Sequence, residues 1–117
     1  MKLSVKVGES AGAAILYLRG RICFREEAAL FSRTAVECLH SGKHLILELS
    51  NVESLDSAGI GELVLLHMQA CAVGCEVRMV APSKRVQELL ELTNVASLFS
   101  VCPTLDAALT SVAGEVA

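Results

Sequence analysis

Leu3, Val5 and Val7 alternate with polar neighbours, Gly8 to Gly12 forms a glycine-bounded turn, and Ala14 to Leu18 is a second apolar run. This pattern predicts an antiparallel hairpin of strands over 2–8 and 13–19, closed by Gly20-Arg21-Ile22. From Glu26 to His40 the period becomes helical, with Ala29, Leu30, Ala35 or Val36 and Leu39 available for one face. Glu26 and Glu27 stand at its N-terminal end, where acids complement the helix dipole, and Ser41-Gly42-Lys43 ends it. Leu45 to Leu49 is an apolar run interrupted by Glu48, which suits a short strand covered on both faces. Glu48 is expected to face a rim or take a hydrogen bond, because an unpaired buried carboxylate is costly.

Asn51 to Asp56 supplies the next turn. From Ser57 to about Val73, Ile60, Leu63, Val64, Met68 and Cys71 fall three or four apart, the spacing of a helix, with Gly74 as its stop. Cys75 to Val80 reads as a strand, and Ser83 to Leu92 as a helix with Val86, Leu89 and Leu90 inward. Leu98 to Val101 reads as a short strand, and a last helix starts at Thr104. In that helix Leu105, Ala108, Leu109 and Val112 are expected to pack down, and the tail beyond Ala113 to fray.

A hairpin followed by alternating helices and strands predicts an α/β fold with a mixed, mostly parallel sheet, right-handed crossovers and about four helices. The 117 residues suit a single domain, 1–117, with an ordered core of about 2–113. Hydrophobic residues make up 53% of the chain, with three Phe, one Tyr and no Trp, so the core is one of Leu, Val, Ile and Ala. A net charge of −3 with no basic stripe argues against a nucleic-acid partner. Apolar stretches stop well short of the roughly 20 residues that cross a bilayer, so no membrane insertion is expected. The N-terminus lacks the apolar middle and cleavage site of a signal peptide. Five cysteines at irregular spacing fit reduced thiols in a cytoplasmic protein.

The candidate chemistry gathers at Asp56-Ser57-Ala58-Gly59-Ile60-Gly61. Asp56 and Ser57 occupy the helix start, beside the unpaired N–H groups of the first turn. Taken alone, Ser57 is an N-cap worth about 1 kcal/mol. Gly59 and Gly61 keep the turn low in bulk, at a cost in helix propensity of up to about 1 kcal/mol each. His40, His44 and His67, with Cys71 or Cys75, lack the spacing of a structural zinc module, so no metal is expected. No paired carboxylates, triad or cofactor loop emerges, which points away from an enzyme.

This hexapeptide, preceded by an apolar strand and followed by an amphipathic helix, resembles the signature of STAS domains, named for sulfate transporters and anti-sigma factor antagonists. Gly20-Arg21-Ile22 is similar to the family's hairpin close. Pro82-Ser83 through Leu92 and then Val95-Ala96-Ser97-Leu98-Phe99 resemble its third helix and last strand. The likeness to the antagonist branch implies a cytoplasmic, phosphorylation-switched binding module without a cofactor. In its unphosphorylated state it would bind an anti-sigma factor that is also a serine kinase, with a histidine-kinase-type ATPase fold, and so free a sigma factor.

The kinase would phosphorylate Ser57, and a serine phosphatase would restore it. ATP would belong to the partner, since this chain has no phosphate-cradling glycine loop followed by Lys and Ser or Thr. The implied docking surface comprises Asp56, Ser57, Ala58, Gly59, Gly61, Glu62 and Leu65, with Arg21, Cys23, Phe24 and Arg25 from the neighbouring loop. Self-association is expected to be weak, if it occurs. Antagonists that are good kinase substrates often carry an acidic residue just after the hairpin close, where this chain has Cys23 and Phe24. The family also contains scaffold subunits of stressosome-like and lipid-transport complexes, and domains suggested to bind nucleotides or lipids. Both remain alternative readings.

Overall fold

Leu45, Ile46, Leu47 and Leu49 are all buried, and they lie in the first half of the central strand β3 (His44–Leu55). The structure is a computed structural model and describes residues 2–116, with side chains described through Ser111. Five strands lie in the order β1-β2-β3-β4-β5: β1 (Ser4–Ser10), β2 (Ala13–Ile22), β3, β4 (Val77–Val80) and β5 (Ser100–Cys102). β1 and β2 pair antiparallel as the hairpin, and every later pairing is parallel. The connections are α1 (Phe24–His40), α2 (Ser57–Ala72) and α3 (Lys84–Leu92), and α4 (Leu105–Val116) ends the described chain. The mixed sheet and its four helices are those the pattern predicts.

Right-handed crossovers between parallel strands that step one way across a sheet put their helices on one face. Accordingly α1, α2 and α3 cover the larger core with Phe31, Ala35, Leu63, Leu66, Val86 and Leu90, set against Leu16, Leu18, Leu47 and Leu49. On the opposite face α4 brings Ala108, flanked by Leu105 and Leu109, against Ala13, Ile15, Ile46 and Val80. The packing expected of Val112 and the fraying expected past Ala113 lie outside the described side chains.

Several boundaries move. The strand expected to end at Leu49 continues to Leu55, because β2 runs on beside it to Ile22 and pairs Arg19 with Asn51, Gly20 with Val52 and Ile22 with Leu55. The segment from Asn51 to Leu55 is therefore strand and not turn. A polar run can hold a strand when its backbone groups are met on a neighbouring strand. β2 passes through two register shifts on the way, between Tyr17 and Arg19 and between Gly20 and Arg21. Gly20 lies at φ +105, where a Cβ would stand 2.6 Å from the Lys2 carbonyl oxygen, so no other residue fits that bend. Glu48 is half-buried and accepts from the Ser50 amide at 2.7 Å and the Ser50 hydroxyl at 3.0 Å, which answers its cost in an apolar strand.

α1 starts at Phe24, two residues before the acidic pair, and buries Ala28, Phe31, Ala35 and Leu39; Ala29 and Leu30, expected on the inner face, are exposed. α2 buries Gly59, Leu63, Leu66 and Ala70, while Met68 and Cys71, which share the helical spacing of Ile60, Leu63 and Val64, face solvent. Residues 96–98 form a short 3-10 turn, so the strand expected from Leu98 begins at Ser100.

Candidate functional site

The C-terminal ends of β2 and β3 are paired up to Ile22 and Leu55, so the segments leaving them, Cys23-Phe24 and Asp56-Ser57, emerge side by side. This places the loop before α1 against the first turn of α2. Asp56 is the N-cap of α2, with extended backbone, and its Oδ1 accepts from the Gly59 amide at 3.0 Å. Its Oδ2 accepts from the Phe24 amide at 2.7 Å. One carboxylate therefore meets an unpaired donor at the start of each of two helices.

The second of these bonds explains how α1 begins. Its N-cap residue, Cys23, contributes no side-chain cap; its thiol approaches the Ser54 carbonyl oxygen at 3.9 Å instead. Phe24 has φ +65, a conformation that costs an L-residue about 1–2 kcal/mol. Asp56 meets the amide that this conformation turns outward, and the Phe24 ring stands 70% exposed. An open groove of about 710 Å³ runs beside it, between Lys2 and the first turn of α1.

The hydrogen bonds from Phe24 and then Gly59 hold the Asp56 carboxyl below its ordinary pKa of 3.8, so it is anionic at neutral pH. Burial, followed by the nearby Asp56 charge, raises the Cys23 thiol above its ordinary value, which favours the protonated form.

Gly59 and Gly61 have different roles. A Cβ on Gly59 would lie 2.2 Å from the Ile22 carbonyl oxygen, so α2 can approach the end of β2 only with glycine there. Gly59 is buried and lies beneath the surface to which it was assigned. A Cβ on Gly61 would meet nothing within 4 Å, and its position is open to solvent.

Ser57 is exposed at the first position of α2, and its hydroxyl has no hydrogen bond within the described residues. Ser57, Gly61, Leu65 and Met68 follow helical spacing down one outward stripe; Leu65 is 50% and Met68 60% exposed. Ala58 and Glu62 flank this stripe half-buried, and Arg21 and Arg25 are exposed at the neighbouring loop. The structure thus sets Cys23 and Phe24 beside Asp56 and the first turn of α2, with Gly59 underneath, and the stripe from Ser57 runs on along α2 to Leu65. Met68 belongs to the exposed stripe although its spacing fitted the inner face equally well.

Among the described residues no cluster of three or more His, Cys, Asp or Glu could hold a metal, and no helix is long and apolar enough to cross a membrane. His67 stacks edge-on against Phe99, with ring centroids 5.6 Å apart, and its Nε2 lies 3.8 Å from the Cys71 thiol.

The STAS domain model matches residues 4–108, and the chain belongs to that family. A Thermotoga neapolitana protein, a homologue of TM1081 that carries the provisional name of anti-sigma factor antagonist, is 34% identical over 92 residues, or 77% of this chain and 81% of its own. The crystal structure of the Thermotoga maritima protein TM1081 superposes with a TM-score of 0.83 at 27% identity, covering 92% of this chain and 93% of the other. The anti-sigma factor antagonist SpoIIAA in its unphosphorylated form gives a TM-score of 0.80 over 95% of this chain and 97% of its own. Its phosphorylated Bacillus form gives 0.72 over 93% and 99%. At 15% and 13% identity these last two matches establish the shared fold.

Proposed function

We propose that this chain is an anti-sigma factor antagonist, a protein-binding module that acts in the cytoplasm and is switched by phosphorylation of Ser57. The unphosphorylated form binds an anti-sigma factor that is also an ATP-dependent serine kinase, and this releases a sigma factor for transcription. Phosphorylation ends the complex, and a serine phosphatase restores it. The observation that carries this reading is the setting of Ser57: an exposed hydroxyl with no hydrogen bond among the described residues, at the head of an exposed stripe, in a chain of the family whose relatives bear that name.

The physics of the switch is local. A phosphate adds about −1.5 to −2 charge at pH 7. The N-terminus of α2 tolerates an anion, but Asp56 is already ionised there and already accepts the Gly59 amide. The new charge therefore points outward, onto the surface a partner must cover. Docking is blocked by charge and bulk without rearrangement of the sheet.

The wild-type chain and Ser57→Asp, each used as bait in the host lysate, separate this reading from the scaffold and small-ligand alternatives. A small ATPase recovered by wild type and lost with Ser57→Asp is the expected result. Transporter or scaffold subunits held equally by both baits overturn the proposal, as does a small molecule retained through purification with no protein partner.

A further inference from the structure

We propose that Asp56 is a positioning residue that locks the two halves of the docking surface together, holding Phe24 in its left-handed conformation through the same carboxylate that caps α2. The role of this surface in docking is the reading given above; the coupling itself concerns only the chain.

Two donors, one 32 residues before Asp56 and one three residues after it, converge on its side chain: Phe24 on Oδ2 at 2.7 Å and Gly59 on Oδ1 at 3.0 Å. Phe24 has no local substitute, because Cys23 gives α1 no side-chain cap and its thiol is turned to the Ser54 carbonyl. The junction is closed from beneath by Ile22, whose carbonyl oxygen occupies the space a Gly59 side chain would need. The loop is therefore seated on α2 by backbone contact below and by Asp56 above. Phe24 is the residue between them whose conformation is otherwise unfavourable. Its ring is 70% exposed and lines the groove beside Lys2 and the first turn of α1, so Asp56 sets where an exposed aromatic ring stands relative to the start of α2.

The test is a pH titration of the ¹⁵N-labelled chain followed by NMR, with amide hydrogen exchange, on wild type and Asp56→Asn. In wild type the Phe24 and Gly59 amide resonances are expected to move together with one midpoint, below the ordinary aspartate range. An amide side chain offers one acceptor oxygen in place of two. Asp56→Asn is therefore expected to abolish both titrations, keep the Gly59 cap three residues away, and speed Phe24 exchange by roughly tenfold or more.

Should asparagine disturb the fold, Asp56→Ser keeps an N-cap oxygen too short to reach Phe24 and is expected to give the same exchange pattern. Separate midpoints for the two amides, or Phe24 exchange unchanged in a folded variant, would overturn the proposal. Neither outcome bears on whether Ser57 is phosphorylated, which is read from the mass of the chain.

Discussion

Gly59 and Gly61 stand one residue apart from a common position in the helix and carry opposite constraints. Gly59→Ala forces a Cβ to within 2.2 Å of a backbone oxygen and is expected to cost about 1–3 kcal/mol or more, through a shift of α2 away from β2. Gly61→Ala meets open space and is expected to be neutral or to stabilise by up to about 1 kcal/mol. Urea unfolding of the two variants measures the contrast; equal effects would contradict it. Asp56 gives the molecule an acid limb. Its folded pKa lies below its unfolded value, so the unfolded chain binds more protons in that window. Its stabilisation is complete above the unfolded pKa of 3.8 and is lost as pH falls through the lower folded value. Asp56→Asn is expected to flatten that limb of the stability curve, and a limb of unchanged slope would assign the acid sensitivity to other carboxylates.

Under the proposed function the faces of α2 divide stability from recognition. Leu66 is 2% exposed and packs in the larger core, so Leu66→Ala is expected to cost about 2–5 kcal/mol. Leu65→Ala and Met68→Ala are expected to stay within about 0.5 kcal/mol of wild type, and to weaken capture of the partner kinase. Denaturation midpoints paired with the pull-down distinguish the two classes. This helix is also where the sequence was hardest to read. It is apolar around most of its circumference, so the spacing of Ile60, Leu63, Val64, Met68 and Cys71 looked as helical as that of Gly59, Leu63, Leu66 and Ala70. Only packing against α1 and the sheet selects the second set. The caps were easier: Asp56 at α2 and Ser83 at α3 lie where a short polar side chain precedes an apolar period. Ser83 accepts from the Val86 amide at 3.3 Å and also donates to the Val52 carbonyl at 3.0 Å.

The order of strands and helices was legible because the strands carry alternating or continuous apolar positions and the helices apolar positions three or four apart. What local pattern could not supply was distance in space. The extension of β3 to Leu55 depends on β2, and the bond from Phe24 to Asp56 spans 32 residues. Those two long-range facts build the candidate site: paired strand ends deliver both loops to one place, and one carboxylate joins them. The fold supplies a rigid support for an exposed serine, and the proposed switch then needs only a change of charge.

That switch is tested most directly by the intact mass of the chain isolated from its host, before and after phosphatase treatment, with Ser57→Ala alongside. The account predicts one phosphoryl group on the wild-type chain that phosphatase removes and that the alanine variant never carries. A wild-type chain that stays unmodified in every growth condition, and with candidate host kinases and ATP, would contradict the switch and leave a constitutive scaffold in its place.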